Sequence, residues 1–216
     1  MSQLSAEDRM LRTFQDFPFR DLLESRNKFL EIVRKVPFMV HLGGDNEAAA
    51  LYELAAGFHD DIKGYILEFG TYAGASASCM AVAVDLYQSS CKMIYTIDPY
   101  DWHSETMPIA RAAFARLGIA RYICQVIHYD LDFVRTLWRL PTRLIYVDAV
   151  HKYDHVIETL DLCYPILMEG GWLAIHDYGE HCLDVVNAVN MFIDTHNIEA
   201  YQIDGLVCIR KQGDTQ

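Results

Sequence analysis

Apolar positions recur at helical spacing through the first forty residues, where Leu22, Leu23, Phe29, Leu30 and Val33 fall near one face. Gly43 and Gly44 interrupt that segment. Asn46 is placed to cap a second helix, NEAAALYELAAGF, which is built from strong helix formers and stops near Gly57. Beyond residue 57 the texture changes. Five short, almost continuously apolar runs follow: YILEFG (65–70), MIYTID (93–98), YICQVIH (122–128), RLIYVD (143–148) and GWLAIHD (171–177). Helical stretches separate the first four and follow the fourth: SASCMAVAVDLYQ, a segment centred on PIARAAFARLG, the short DLDFVRTLWRL, and HVIETLDLCYPIL. Strands that lack polar alternation are buried on both faces, so this order predicts a parallel sheet between two helical layers. The chain closes differently, because IEAYQI and LVCIRK flank Asp204-Gly205, a two-residue hairpin signal. The predicted fold is one α/β domain over residues 58–216. Its sheet is seven-stranded and mostly parallel with a C-terminal antiparallel hairpin, and residues 1–57 form a helical N-terminal extension.

Composition narrows what such a domain does. The 216 residues are 52% hydrophobic and carry a net charge of -12. Folding is therefore expected, and non-specific binding to nucleic acid or to an anionic membrane is disfavoured. An acidic surface tolerates a cationic ligand. Six cysteines, at positions 79, 91, 124, 163, 182 and 208, show no C-x-x-C spacing and sit mostly in apolar segments. They read as reduced thiols rather than as a zinc or disulfide framework. MSQLSAEDRM has no signal-peptide core and no apolar run spans a bilayer, so a cytoplasmic protein is expected.

Ligands of open parallel sheets bind beyond the carboxyl ends of the strands, at a switch in strand order. Four of the five runs deliver a carboxylate there: EFGTYAGAS, IDPYDW, VDAVH and HDYGE. The first loop holds Gly70 and Gly74 but has Tyr72 where a dinucleotide fingerprint has its middle glycine, which disfavours NAD and FAD. A nucleoside without a diphosphate still fits over the two glycines. Asp98 is the right group to hold both hydroxyls of a ribose. Acidic surroundings suit the sulfonium of S-adenosylmethionine.

Taken together, E-F-G-x-x-x-G-x-S, Asp98, D-x-x-H-x-Y from Asp148 and G-G-W-x-x-x-H-D-Y from Gly170 resemble a class I S-adenosylmethionine-dependent methyltransferase with a Rossmann-like sheet. The likeness is nearest to the small-molecule O-methyltransferases of the macrolide-sugar and catechol types, and it covers about residues 60–210. It implies that Gly70, Thr71 and Gly74 line the methionine part of the cofactor, that Glu68 supports the loop and that Asp98 holds the ribose. Tyr129 and Asp130 match the adenine side more loosely. Metal-dependent relatives hold magnesium on an acid after the fourth strand and an acidic pair after the fifth. Asp148 and Asp177 are kept here, but His176 replaces the first acid of that pair and Tyr178 follows. Magnesium is therefore conditional on two carboxylates sufficing.

His151 stands three residues past Asp148 and reads either as the general base for the acceptor, with an imidazole near its ordinary pKa, or as a loop histidine orienting Asp148. His151 and His155 have the spacing of a helical zinc pair, but Lys152 occupies the position of the motif's Glu. Tyr153, Asp154 and His155 read as the start of a helix. Tyr100, Asp101, Trp102 and His103 either wall the pocket or anchor the next helix, and Gly170-Gly171-Trp172 reads as a tight turn into the fifth strand. The expected activity is methyl transfer from S-adenosylmethionine to a hydroxyl of a small molecule, with Asp148, His151 and Asp177 as the catalytic set. The rivals are a binding module that has lost catalysis and a hydroxylation-associated enzyme on the same scaffold. The N-terminal helices either cover the pocket or join two copies of the chain.

Overall fold

The computed structural model describes residues 11–12, 16–19, 22–35, 44–58, 62–89 and 93–213. Expectations that fall on residues 1–10, on Gly43 and Cys91, and on the Leu22 and Val33 side chains lie outside the described residues. The first helix, α1 (Leu22–Lys35), buries Phe29 and Ile32, whereas Leu23 is 69% exposed and off the packed face. The second, α2 (Asp45–Ala56), starts two residues earlier than a helix capped by Asn46. Its N-cap is Gly44, whose N–H is accepted by Glu47, and Asn46 instead donates to Asp204 from within the first turn. Gly57, at φ 79°, ends the helix in the left-handed region that favours glycine. There the buried guanidinium of Arg143 donates to the Leu54 and Ala55 carbonyls, where the helix dipole favours a cation.

The remaining elements are β1 (Leu11–Arg12), β2 (Tyr65–Phe69), α3 (Ala75–Tyr87), β3 (Ile94–Ile97), α4 (Thr106–Leu117), β4 (Ile123–Val126), α5 (Asp130–Thr136), β5 (Thr142–Val147), α6 (Tyr153–Ile166), β6 (Leu167–Ile175), α7 (Leu183–His196), β7 (Ala200–Ile203) and β8 (Leu206–Arg210). The strands form one sheet in the order β1-β7-β8-β6-β5-β2-β3-β4. Only β8 runs antiparallel to its neighbours. The sheet has eight strands rather than the predicted seven, because Leu11 and Arg12 pair with Ala200 and Tyr201 at one edge. Two residues are too few to show a strand period.

Alternate residues of the central strands serve two cores. Ile66, Ile94, Leu144 and Trp172 pack with α1 to α4. Leu67, Phe69, Ile145 and Leu173 pack with α5 to α7. The helix α7 was not read from the sequence, although Val185, Ala188, Val189 and Phe192 make a buried 3.6-residue stripe. Gly170 and Gly171 do not precede a strand as a turn. They lie inside β6, where its register with β5 shifts between Thr142 and Leu144. A Cβ on Gly171 would lie 2.9 Å from the Arg143 and Met168 carbonyl oxygens, so the strands approach too closely there for a side chain.

Candidate active site

The strand order reverses between β2, β3 and β5, so the loops after these strands part and leave a crevice. Hydrogen bonds continue past the strand ends and set the rim. Gly70 donates to Ile97, Asp98 to Val126, Asp148 to Phe69 and His176 to Val147, each through its backbone N–H. A cavity of about 1290 Å³ opens above them. Gly70, Thr71, Asp98, Asp130, Asp148 and His151 line it, and Glu68, Gly74 and Asp177 are not among its lining residues.

On the β2–β3–β4 side, loop geometry dominates. A Cβ on Gly70, at φ 92°, would meet the Asp148 backbone oxygen at 1.8 Å, and one on Gly74 would meet the Phe114 ring at 2.7 Å. The absent side chains make room for the protein's own packing, not only for a ligand. Tyr72 and Tyr100 hold positive φ angles of 45° and 57°, which are strained for bulky residues. Asp98 fixes both, accepting the Tyr72 N–H at 2.9 Å and the Tyr100 N–H at 2.7 Å. Each of its oxygens keeps a free lone pair. The aromatic run after it divides: Tyr100 is a buried anchor, whereas Trp102 is 90% exposed on the cavity wall. Asp130, the first residue of α5, accepts the Leu131 N–H and pairs with His155 at 2.8 Å. Among the described residues, no candidate metal group contains both His151 and His155.

Glu68 lies on the opposite face of β2 from Phe69, in register with Thr96 and Tyr146. It is fully buried, and neither carboxylate oxygen closes a hydrogen bond. Burial pushes its pKa up to about 8 against the opposing pull of the Ser76 and Thr96 hydroxyls. Burial thus disfavours the charged form of Glu68.

The β5–β6 side gathers ionisable groups. The His151 Nε2 atom lies 2.9 Å from Asp177 and 3.7 Å from Asp148. The His176 Nδ1 atom lies 3.4 Å from Asp177 and 3.7 Å from Asp148, and its Nε2 atom is 3.1 Å from Glu47. Asp177 sits at φ 59°, a left-handed conformation that Asp tolerates. Glu47 was missed in the sequence. It comes from the first turn of α2 and also accepts the Gly205 N–H, so it ties the N-terminal helix to the hairpin and to the site.

These neighbours shift the charges. Asp148 and Asp177 push the His151 pKa up to about 9, which corrects the expectation of an imidazole near its ordinary value. Burial disfavours a charged His176, but Asp148, Asp177 and Glu47 outweigh it and raise the pKa to about 12. His151 and His176 hold Asp177 well below the carboxylate range. Asp148 is also lowered, because the same two imidazoles overcome its burial. Magnesium, which the sequence resemblance implies, does not fit this donor set. It asks for an octahedron of oxygens, and here an imidazole nitrogen stands between the two carboxylates.

A methyltransferase-domain family matches residues 67–178, just over half of the chain, from β2 through the loop after β6. The chain belongs to this methyltransferase family. No curated protein matches it. Among solved structures, it is similar to the O-methyltransferase TomG of Streptomyces achromogenes, involved in tomaymycin synthesis and bound to SAM. That likeness has a TM-score of 0.63 and 20% identity over 92% of this chain and 93% of the other. It is also similar to CalS11, a TDP-rhamnose 3'-O-methyltransferase of calicheamicin biosynthesis, with TM-score 0.61, 14% identity and coverage of 87% and 93%. An O-methyltransferase from Bacillus cereus in complex with SAH gives 0.60, 15%, 91% and 94%. Identities this low establish the shared class I methyltransferase fold and leave the acceptor to the chemistry of the site. No helix among the described residues is long and apolar enough to cross a membrane.

Proposed function

We propose that this methyltransferase moves the methyl group of S-adenosylmethionine to a hydroxyl of a small molecule, with His151 as the proton acceptor. The observation that carries the reading is the placement of His151. It lines the cavity beside Asp148, across from the glycine loop, and its ring is held by Asp177 at 2.9 Å. The cofactor's requirements fit the other side. Asp98 offers two free lone pairs for ribose hydroxyls, and Tyr72 stands where a dinucleotide loop has its middle glycine, with its N–H taken by Asp98. Asp98, Asp101, Asp130, Asp148, Glu180 and Asp184 line the cavity against Lys152 and the His151 imidazole, a field that favours the sulfonium cation.

In the reaction the acceptor oxygen attacks the methyl carbon in line. The O–CH3 bond forms as the S–CH3 bond breaks, the sulfonium becomes a neutral thioether, and the hydroxyl proton passes to His151 Nδ1, the ring nitrogen that Asp177 does not engage. The protein contributes alignment and a proton sink. His151 must be neutral to accept that proton, so its elevated pKa places the optimum on the alkaline side for the metal-free protein. S-adenosylhomocysteine release from S-adenosylmethionine, followed over a panel of phenols, sugars and aliphatic alcohols, tests the reading. Turnover with at least one alcohol class that is lost in His151→Ala supports it. Binding of S-adenosylhomocysteine with no turnover on any acceptor favours the binding module instead.

A further inference from the structure

Asp177 holds the ring of His151, and its own backbone is strained, at φ 59°. A left-handed residue with a side chain persists only where its neighbours over-determine it. Both neighbours of Asp177 are tied. Before it, the His176 backbone N–H donates to the Val147 carbonyl, and the His176 Nε2 atom lies 3.1 Å from the Glu47 carboxylate. After it, the Tyr178 backbone N–H donates to the Gly205 carbonyl at 2.8 Å, and the Tyr178 hydroxyl donates to Asn190 at 2.8 Å. The Gly179 N–H returns to the Asp177 carbonyl and closes the turn.

Two of these ties lead to one carboxylate. Glu47 Oε2 faces His176 and accepts the Gly44 N–H, while Oε1 accepts the Gly205 N–H. Gly205 is also the residue whose carbonyl holds Tyr178. Glu47 therefore grips the 176–178 turn from both ends, once through an imidazole and once through the hairpin. The His176 ring stands between the two acids, with Nδ1 3.4 Å from the Asp177 carboxylate. Docking of α2 does not by itself call for this arrangement. Asn46, one residue earlier, already fastens α2 to the same hairpin by donating to Asp204 at 3.1 Å, and it does so at the surface. A buried carboxylate is the costlier device. What Glu47 adds to the docking is its hold on His176.

We propose that Glu47 is a positioning residue for methyl transfer: through His176 and Gly205 it holds Asp177 in its left-handed conformation and so aims His151 at the acceptor. What the positioning serves rests on the reading of His151 as proton acceptor; the positioning itself does not. A reactive alignment tolerates little displacement. Loss of the grip should lower kcat and spare the cofactor, because the glycine loop and Asp98 lie on the other half of the rim.

The test uses the full-length chain with nitrogen-labelled histidines, the His151 ring signals being assigned with His151→Gln. At one fixed pH and without any acceptor, those signals report the contact between His151 and Asp177. Turnover gives kcat and KM, and calorimetry gives the affinity for S-adenosylhomocysteine. Glu47→Ala should displace the His151 signals and lower kcat about 10²-fold, with KM and S-adenosylhomocysteine affinity near wild type. Glu47→Gln keeps the length and one acceptor, so its kcat should stay within roughly 10-fold of wild type. Glu47→Asp keeps the charge in the first turn of α2 but is too short for His176, and should behave as Glu47→Ala does. It decides the matter if Glu47→Ala does not fold. Asn46→Ala removes the other contact between α2 and the hairpin and should leave the His151 signals and kcat unchanged. Unmoved His151 signals in the folded Glu47→Ala or Glu47→Asp chain overturn the proposal. So does an equal loss of kcat in Asn46→Ala, which would make the contact one of docking alone. Displaced signals in a protein whose wild type methylates no acceptor keep Glu47 as the residue that sets Asp177 and His151, and remove methyl transfer as the reaction.

Discussion

The two halves of the rim are built on different principles. After β2, β3 and β4 the chain uses backbone shape: two glycines, two tyrosines at positive φ and one carboxylate, Asp98, that clamps both tyrosine loops. After β5 and β6 it uses side-chain chemistry, with Asp148, His151, His176 and Asp177 packed against one another and Glu47 reaching in from α2. The first half suits a ligand of fixed shape, recognised the same way whatever the acceptor. The second suits a reaction whose charges must be arranged. Binding and chemistry should therefore be separable by mutation.

The largest expected separation is at His151. Replacing it with alanine removes the proton acceptor, and kcat should fall roughly 10²- to 10⁴-fold while S-adenosylhomocysteine affinity stays near wild type. Equal loss of affinity and rate, read by calorimetry and by steady-state turnover, would merge the two halves into one. Next is Gly70→Ala, which tests whether the loop is shaped by the protein itself. A Cβ there meets the Asp148 backbone oxygen at 1.8 Å in a left-handed conformation, so a loss of roughly 3 kcal/mol or more is expected in denaturant melts without any ligand. An unchanged midpoint would show that the loop yields freely. Glu47→Ala strips the acceptor from Gly44, Gly205 and His176 together, and about 3 kcal/mol should be lost. A neutral effect would detach α2 from the site.

The smallest effect is on pH dependence. The folded-state pKa of His151 lies above its ordinary value of about 6.5, so its contribution to stability is complete below that pH. It is lost as pH rises through about 9 in the metal-free protein. Exposure of the ring to solvent keeps the effect modest. The melting temperature should decline over this window and decline less in His151→Gln. Identical slopes for the two proteins would assign the titration elsewhere.

The same contrast explains what could be read from the sequence. Five strands were legible because burial on both faces leaves uninterrupted apolar runs, and their ends mark the rim. Gly70, Gly74 and Asp98 stand in short local patterns whose spacing carries their geometry. The β5–β6 half was only partly legible. Asp148 and Asp177 follow strands, but the partner of His176 is Glu47, 129 residues away in sequence. No local pattern announces that pairing, and Glu47 looked like one more helix former in NEAAALYELAAGF. Nor could the His151 pKa be anticipated, since it depends on two carboxylates from different loops. The edge strand β1 failed for a simpler reason, being two residues long.

The central claim is that one half of the rim binds S-adenosylmethionine and the other performs the chemistry. Calorimetric titration of S-adenosylhomocysteine into the wild type, Asp98→Ala and His151→Ala tests it most directly. The prediction is binding to the wild type and to His151→Ala with similar affinity, and about 10- to 100-fold weaker binding to Asp98→Ala, the loss of charged hydrogen bonds to a ribose. Equal affinity of Asp98→Ala and the wild type, or a wild type that binds NAD and not S-adenosylhomocysteine, would contradict it.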